Sequence, residues 1–194
     1  MPRHASVNAW SNAAYALASV PFFFAAGASP VGALAALAGL SLLGLAAGSW
    51  AFHALSDPGP NHRAGHVADH IGMHAVFTSV AAFVCAAAFN LGAEGLIFYA
   101  ALVVFAALVL YDKSSGDRIT LRRSYKGIGV ESAFLLAGLV KIGVPETALV
   151  ASVFAIAFAF RHHRPERASG FGDWHAVWHV LTAVGFVLCA VVLA

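Results

Sequence analysis

Residues 173–194, DWHAVWHVLTAVGFVLCAVVLA, carry no acidic or basic residue after Asp173 apart from two histidines. Twenty-two residues of helix rise about 33 Å, enough to cross the roughly 30 Å hydrocarbon core of a bilayer. The run is continuously apolar and does not alternate, so a membrane helix is expected and a barrel strand is not. His175 and His179 lie one helical turn apart near its start and raise the question of function.

The rest of the chain repeats the pattern. Its 194 residues are 60% hydrophobic and 10% charged, and its mean hydropathy is +0.80. Soluble domains are roughly a quarter charged, so an all-α, polytopic integral membrane protein is predicted. Seven apolar segments are bounded by Pro, Gly and charge: 8–27, 31–55, 66–89, 91–111, 126–143, 145–161 and 173–194. The fifth carries Glu131 and Lys141, yet SAFLLAGLV between them is apolar enough for a short or tilted span. Pro21 and Pro145 can kink or start spans. Neither a soluble domain nor a low-complexity linker is evident, so residues 1–194 read as one transmembrane domain.

Cys85 and Cys189 each lie inside an apolar run and read as small buried hydrophobes, which excludes a disulfide framework or a cysteine metal site. Ala26-Gly27-Ala28 mimics a signal-cleavage site, but the first segment reads as part of the fold.

With seven spans, Arg3, Arg63, Lys113, Arg118, Arg122, Arg123, Lys126, Arg161, Arg164 and Arg167 share one face, and Lys141 alone lies on the other. The positive-inside rule then places the N-terminus in the cytoplasm and the C-terminus outside. The basic loops KSSGDRITLRRSYK and RHHRPER face anionic headgroups and serve mainly to set topology. No nucleic-acid partner is expected. The Ala-rich composition suggests a high-GC bacterial source, hence the inner membrane.

Ionisable groups inside a bilayer are costly and tend to be functional. His53 ends the second span, one turn beyond Ser49; Asp69, His70 and His74 open the third; His175 and His179 open the seventh. By the topology above, all lie towards the cytoplasmic face. Side chains four apart on a helix are about 40° apart in azimuth and about 6 Å apart along the axis, so His175 and His179 can address one ion. With His53 they supply three neutral imidazoles and leave a fourth position for water, a catalytic zinc arrangement. Asp69 is the natural carboxylate to shuttle a proton.

Other arrangements compete. His66, His70 and His74 form a stripe that could bind metal, although outer-partner or headgroup roles suit His70 and His74 better. Bis-histidine haem ligation between His53 or His74 and the last span leaves Asp69 and Ser49 unexplained. His4, His62, His162 and His163 fall in the terminus and loops, and Asp173 reads as a start-of-helix acid. The last span has no lysine for a retinal Schiff base, and the chain lacks the Gly-x-Ser-Gly of a rhomboid protease. Repeated broken helices of the kind that mark transport sites are not seen.

The order Ser-x-x-x-His, Asp, His-x-x-x-His resembles the CREST superfamily of seven-helix proteins, which includes alkaline ceramidases, adiponectin-type receptors and haemolysin-III-like proteins. WHAVWHVLTAVG (174–185) is similar to the last span of alkaline ceramidases, and NAWSN (8–12) to the start of their first conserved helix. The bacterial ceramidase-like members are the nearest match. The resemblance implies zinc ligation by His53, His175 and His179, with Asp69 and Ser49 beside the water. It also implies hydrolysis of an amide-linked lipid, such as ceramide or another N-acyl lipid, to fatty acid and amine. Two departures stand out. The sixteen residues from His53 to Asp69 fit the receptor and haemolysin-III branch better, as does a cytoplasmic N-terminus. The acidic N-terminal segment that binds calcium in eukaryotic ceramidases is missing, so no calcium site is expected. A receptor or membrane-active protein with a mainly structural zinc is therefore the alternative expectation.

Overall fold

A computed structural model describes residues 3–54, 60–111, 121–162 and 174–193. Every element among them is helical: α1 (Arg3–Ser11), α2 (Ala13–Ala28), α3 (Gly32–Ala54), α4 (Pro60–Phe89), α5 (Glu94–Leu110), α6 (Leu121–Ile142), α7 (Val144–His162) and α8 (Trp174–Val191). A helix covers the bulk of each of the seven apolar segments. The first segment is broken at Asn12, so that NAWS closes α1. Helix α2 continues through Pro21 and through Ala26-Gly27-Ala28. Three helix starts differ from expectation, the first being α1, which begins at Arg3, five residues early, and takes in His4. Helix α4 begins at Pro60, which puts His62 within a helix and not in a loop. Helix α6 begins at Leu121, five residues before the predicted start, so Ser124 and Tyr125 also lie on a helix. His163, Asp173 and most of both basic loops lie outside the described residues.

Among the described residues, four helices have windows long and apolar enough to cross a membrane: Gly32–Ala54, Val67–Phe89, Val144–Arg161 and Trp174–Val191. Burial separates them. In α4 72% of the window is enclosed, against 17% in α7, so α4 is the central helix and α7 a peripheral one. The C-terminal half of α4 is largely apolar on every face, as suits an enclosed helix: Val76, Phe77, Val80, Ala81, Phe83 and Val84 are all buried. It packs against α3, α5, α6 and α8. Small residues let α3 approach closely, since a Cβ on Gly65 would stand 2.8 Å from the Phe52 Cα and one on Gly72 3.0 Å from the Leu45 Cα. Large apolar side chains face outwards, Phe24 at 77% and Ile97 at 71% exposure among them. On a water-soluble protein such a surface would drive aggregation, whereas lipid tails accept it. Cys85 and Cys189 are buried and free.

Candidate metal centre

The close α3–α4 seam holds the C-terminal turn of α3 in place, and His53 projects from it towards the first two turns of α8. There His53, His175 and His179 converge. One nitrogen from each lies within 4.8 Å of the others, so the group could hold a metal ion. Ring centroids are 4.9 Å apart for His53 and His175, 5.4 Å for His53 and His179, and 4.4 Å for His175 and His179. The Nε2 atoms of His53 and His175 face each other at 3.1 Å. Metal–nitrogen bonds of about 2.0–2.1 Å in a tetrahedron place ligand nitrogens roughly 3.3 Å apart, so this spacing suits a shared ion. His179 is buried, and the other two are partly so.

Neighbouring groups fix the rings. Ser11 Oγ pairs with His179 Nδ1 at 2.8 Å, which assigns metal binding to the opposite nitrogen, Nε2. Tyr15 packs its ring on His179 at 5.6 Å and hydrogen-bonds Thr182. Trp178 lies 5.0 Å from His179. The NAWSN stretch thus contributes through Ser11, whose hydroxyl also donates to the Asn8 carbonyl at 2.8 Å.

Ser49 is 1% exposed and its Oγ has no hydrogen-bond partner. A buried hydroxyl left unpaired costs about 1–3 kcal/mol, and it sits one turn from His53 on the same helix face. That orphan fits a centre completed by a ligand. Asp69 is partly buried on α4, within electrostatic range of Tyr15.

Arg161 is the residue that the sequence pattern misassigns. It was expected at the headgroups within a basic loop, but it is partly buried. Its Nη2 donates to the Tyr125 hydroxyl at 3.0 Å, its Nη1 to His175 Nδ1 at 3.3 Å, and its guanidinium lies 5.3 Å over the Trp178 ring. Arginine only donates, so His175 Nδ1 must accept and the ring proton must sit on Nε2, facing His53. A metal on His175 Nε2 requires that proton to move to Nδ1, where it would oppose Arg161. The Arg161–His175 bond and metal ligation therefore exclude each other.

His70 and His74 do not reach headgroups. Both are buried, at 3% and 1% exposure, and both bond to groups on α6. Among the described residues, the tripod alone groups three potential ligands closely enough for an ion. The His66 side chain lies outside the described set.

No protein family model matches this chain, and neither characterised proteins nor solved structures show a significant match.

Proposed function

We propose that this chain is a zinc-dependent intramembrane amide hydrolase acting on an N-acyl lipid, ceramidase-like in chemistry, and yielding fatty acid and amine. The observation that carries the proposal is the convergence of His53, His175 and His179 from two helices far apart in sequence. A neutral three-histidine donor set suits zinc and leaves an open position. Helices α2, α5 and α6 join the four long apolar ones to make seven membrane crossings, with the N-terminus in the cytoplasm, the centre near the cytoplasmic face and a bacterial inner membrane as the setting.

Zinc, when bound, polarises the amide carbonyl and makes a water acidic enough to attack near neutral pH. The chain's own residues do the rest. His53, His175 and His179 hold the ion, and Ser11 keeps the His179 ring in register. Asp69 takes the proton of the attacking water and returns it to the leaving amine. Ser49, buried and unpaired, offers its hydroxyl to the carbonyl oxygen as charge builds there. The apolar surfaces of the helices accommodate the acyl chain.

Two measurements test this. Zinc per chain should be near stoichiometric in purified wild type and lost in His179→Ala; a wild type that binds no metal refutes the proposal. Incubation with N-acyl lipids should release fatty acid, and Asp69→Asn should abolish release while retaining zinc. Zinc-dependent thermal stability without turnover on any acyl amide or ester points instead to a receptor with structural zinc.

A further inference from the structure

A second polar group lies deeper in the bundle, between α4 and α6, and the chemistry proposed above makes no use of it. Glu131 is fully buried. Its Oε1 meets His74 Nδ1 at 2.7 Å and receives the Thr78 hydroxyl at 3.3 Å. His74 Nε2 meets Ser124 Oγ at 3.1 Å, and Ser124 Oγ meets His70 Nδ1 at 2.8 Å. Ser124, His74 and His70 are all at least nine-tenths buried. His70, His74 and Thr78 repeat every four residues, so the polar chain runs about 12 Å along α4 towards the middle of the bundle. Room for it is reserved by Gly127, where a Cβ would stand 2.7 Å from His74 Cε1 and 2.8 Å from Val109 Cγ1. Glu131 Oε2 has no partner.

We propose that Glu131 is an intramembrane proton-binding site, loaded from the end of the bundle that carries the tripod through the relay His70–Ser124–His74.

Every atom in the relay has a consistent role. With a proton arriving on His70, His70 Nδ1–H donates to Ser124 Oγ, Ser124 donates to His74 Nε2, and His74 Nδ1–H donates to the Glu131 carboxylate. Each donor then passes its proton one step. The N–H bond at His70 Nδ1 breaks, the hydroxyl proton of Ser124 is replaced, His74 loses the Nδ1 proton and gains one at Nε2, and Glu131 Oε1 gains an O–H bond. One proton has moved from an imidazolium to a carboxylate, nothing is oxidised or reduced, and all three hydrogen bonds survive with their direction reversed. The orphan Oε2 fits this end state. In an ionised carboxylate it would be a charged oxygen without a partner, whereas in the neutral acid it is an unpaired carbonyl, which costs far less. Chains of this type inside membranes serve as proton pathways.

Among the described side chains, the other charged and titratable groups on the packed elements are Glu94 and Tyr99 on α5, Tyr125, Lys126 and Lys141 on α6, Asp69 and Cys85 on α4, His53 on α3, Glu146 and Arg161 on α7, and the two histidines and Cys189 of α8. Among the described residues, His74 is the one titratable group that bonds Glu131. A metal ion is not the occupant, because these side chains do not bring three ligand atoms within reach of one another.

The test is infrared difference spectroscopy of the whole chain between acid and alkaline buffer. A carboxylic-acid carbonyl band should appear on acidification, shift in heavy water and be missing from Glu131→Gln. Ser124→Ala should keep the band but slow its hydrogen exchange roughly 100-fold, the scale on which a positioned proton-transfer group acts. A spectrum unchanged by Glu131→Gln, or exchange in Ser124→Ala as fast as in wild type, overturns the proposal and leaves a structural latch. Should Glu131→Gln not fold, Ser124→Ala decides alone, since it leaves the acid in place. The bands are read on metal-stripped protein, so failure of lipid hydrolysis leaves this result untouched.

Discussion

The histidine tripod and the Glu131 chain occupy one bundle but are built in opposite ways. The tripod joins α3 to α8 at a helix end, two of its three rings are partly exposed, and two of its nitrogens face each other at 3.1 Å without a carboxylate between them. The chain joins α4 to α6 in the interior, each of its four side chains is at least nine-tenths buried, and an acid closes it. Nitrogens facing each other in this way can share a proton or, once that proton leaves, a cation. Nitrogens and oxygens that alternate along a chain are complete apart from a proton. Burial and partner type thus separate a centre that could hold an ion from a network suited to carrying a hydrogen.

Variants should pull the two apart. The largest effect is expected for His179→Ala, which should weaken metal binding well beyond the roughly 10–100-fold that loss of an outer partner costs. Metal content measures this, and infrared bands from Glu131 should not move. Next, Glu131→Ala strands His74 and Thr78 in the core and should cost about 3–5 kcal/mol, read by unfolding in detergent, with metal content unchanged in the folded fraction. Ser11→Ala removes the partner of His179 Nδ1 and should loosen metal by roughly 10–100-fold, measured by competition with a chelator. Gly127→Ala forces His74 aside and should cost about 1–3 kcal/mol. The smallest shift has the opposite sign: Arg161→Met frees His175 Nδ1 and removes a neighbouring positive charge, so metal should bind about tenfold tighter, some 1.4 kcal/mol. If Arg161→Met binds metal more weakly, Arg161 supports the centre and does not compete for it.

The tripod was legible because its signal is local. His175 and His179 are one turn apart in an otherwise apolar helix, Ser49 and His53 repeat that spacing, and an apolar run makes each polar residue conspicuous. The Glu131 chain was not, because its partners are 50 to 57 residues apart and none stands in a recognisable pattern with its mate. A trace of it was present. His70, His74 and Thr78 follow a period of four along α4, and an acid within an apolar run requires a partner at similar depth. Ser124 was hidden by the late predicted start of α6, since a basic loop was expected where the helix had already begun. Arg161 was hidden by bookkeeping of another kind: counted among the charges that orient the chain, it turns inwards, where its guanidinium meets Tyr125, Trp178 and His175. Charge tallies fix which side a loop lies on and say nothing of where its last side chain points.

Hydrogen bonding between Ser11 and His179 ties the first helix to the last across 168 residues of chain, and His53 waits 122 residues for His175. During synthesis the ribosome delivers one nitrogen of the centre early and the other two near the end. Until α8 has been inserted, His53 is a lone imidazole with no means of retaining an ion, and Ser11 has no ring to steady. If the centre holds an ion as proposed, metal uptake reports on completed assembly: a chain in which α8 has not reached α3 stays empty, and metal content per chain measures the fraction of molecules in which His53 has met His175 and His179.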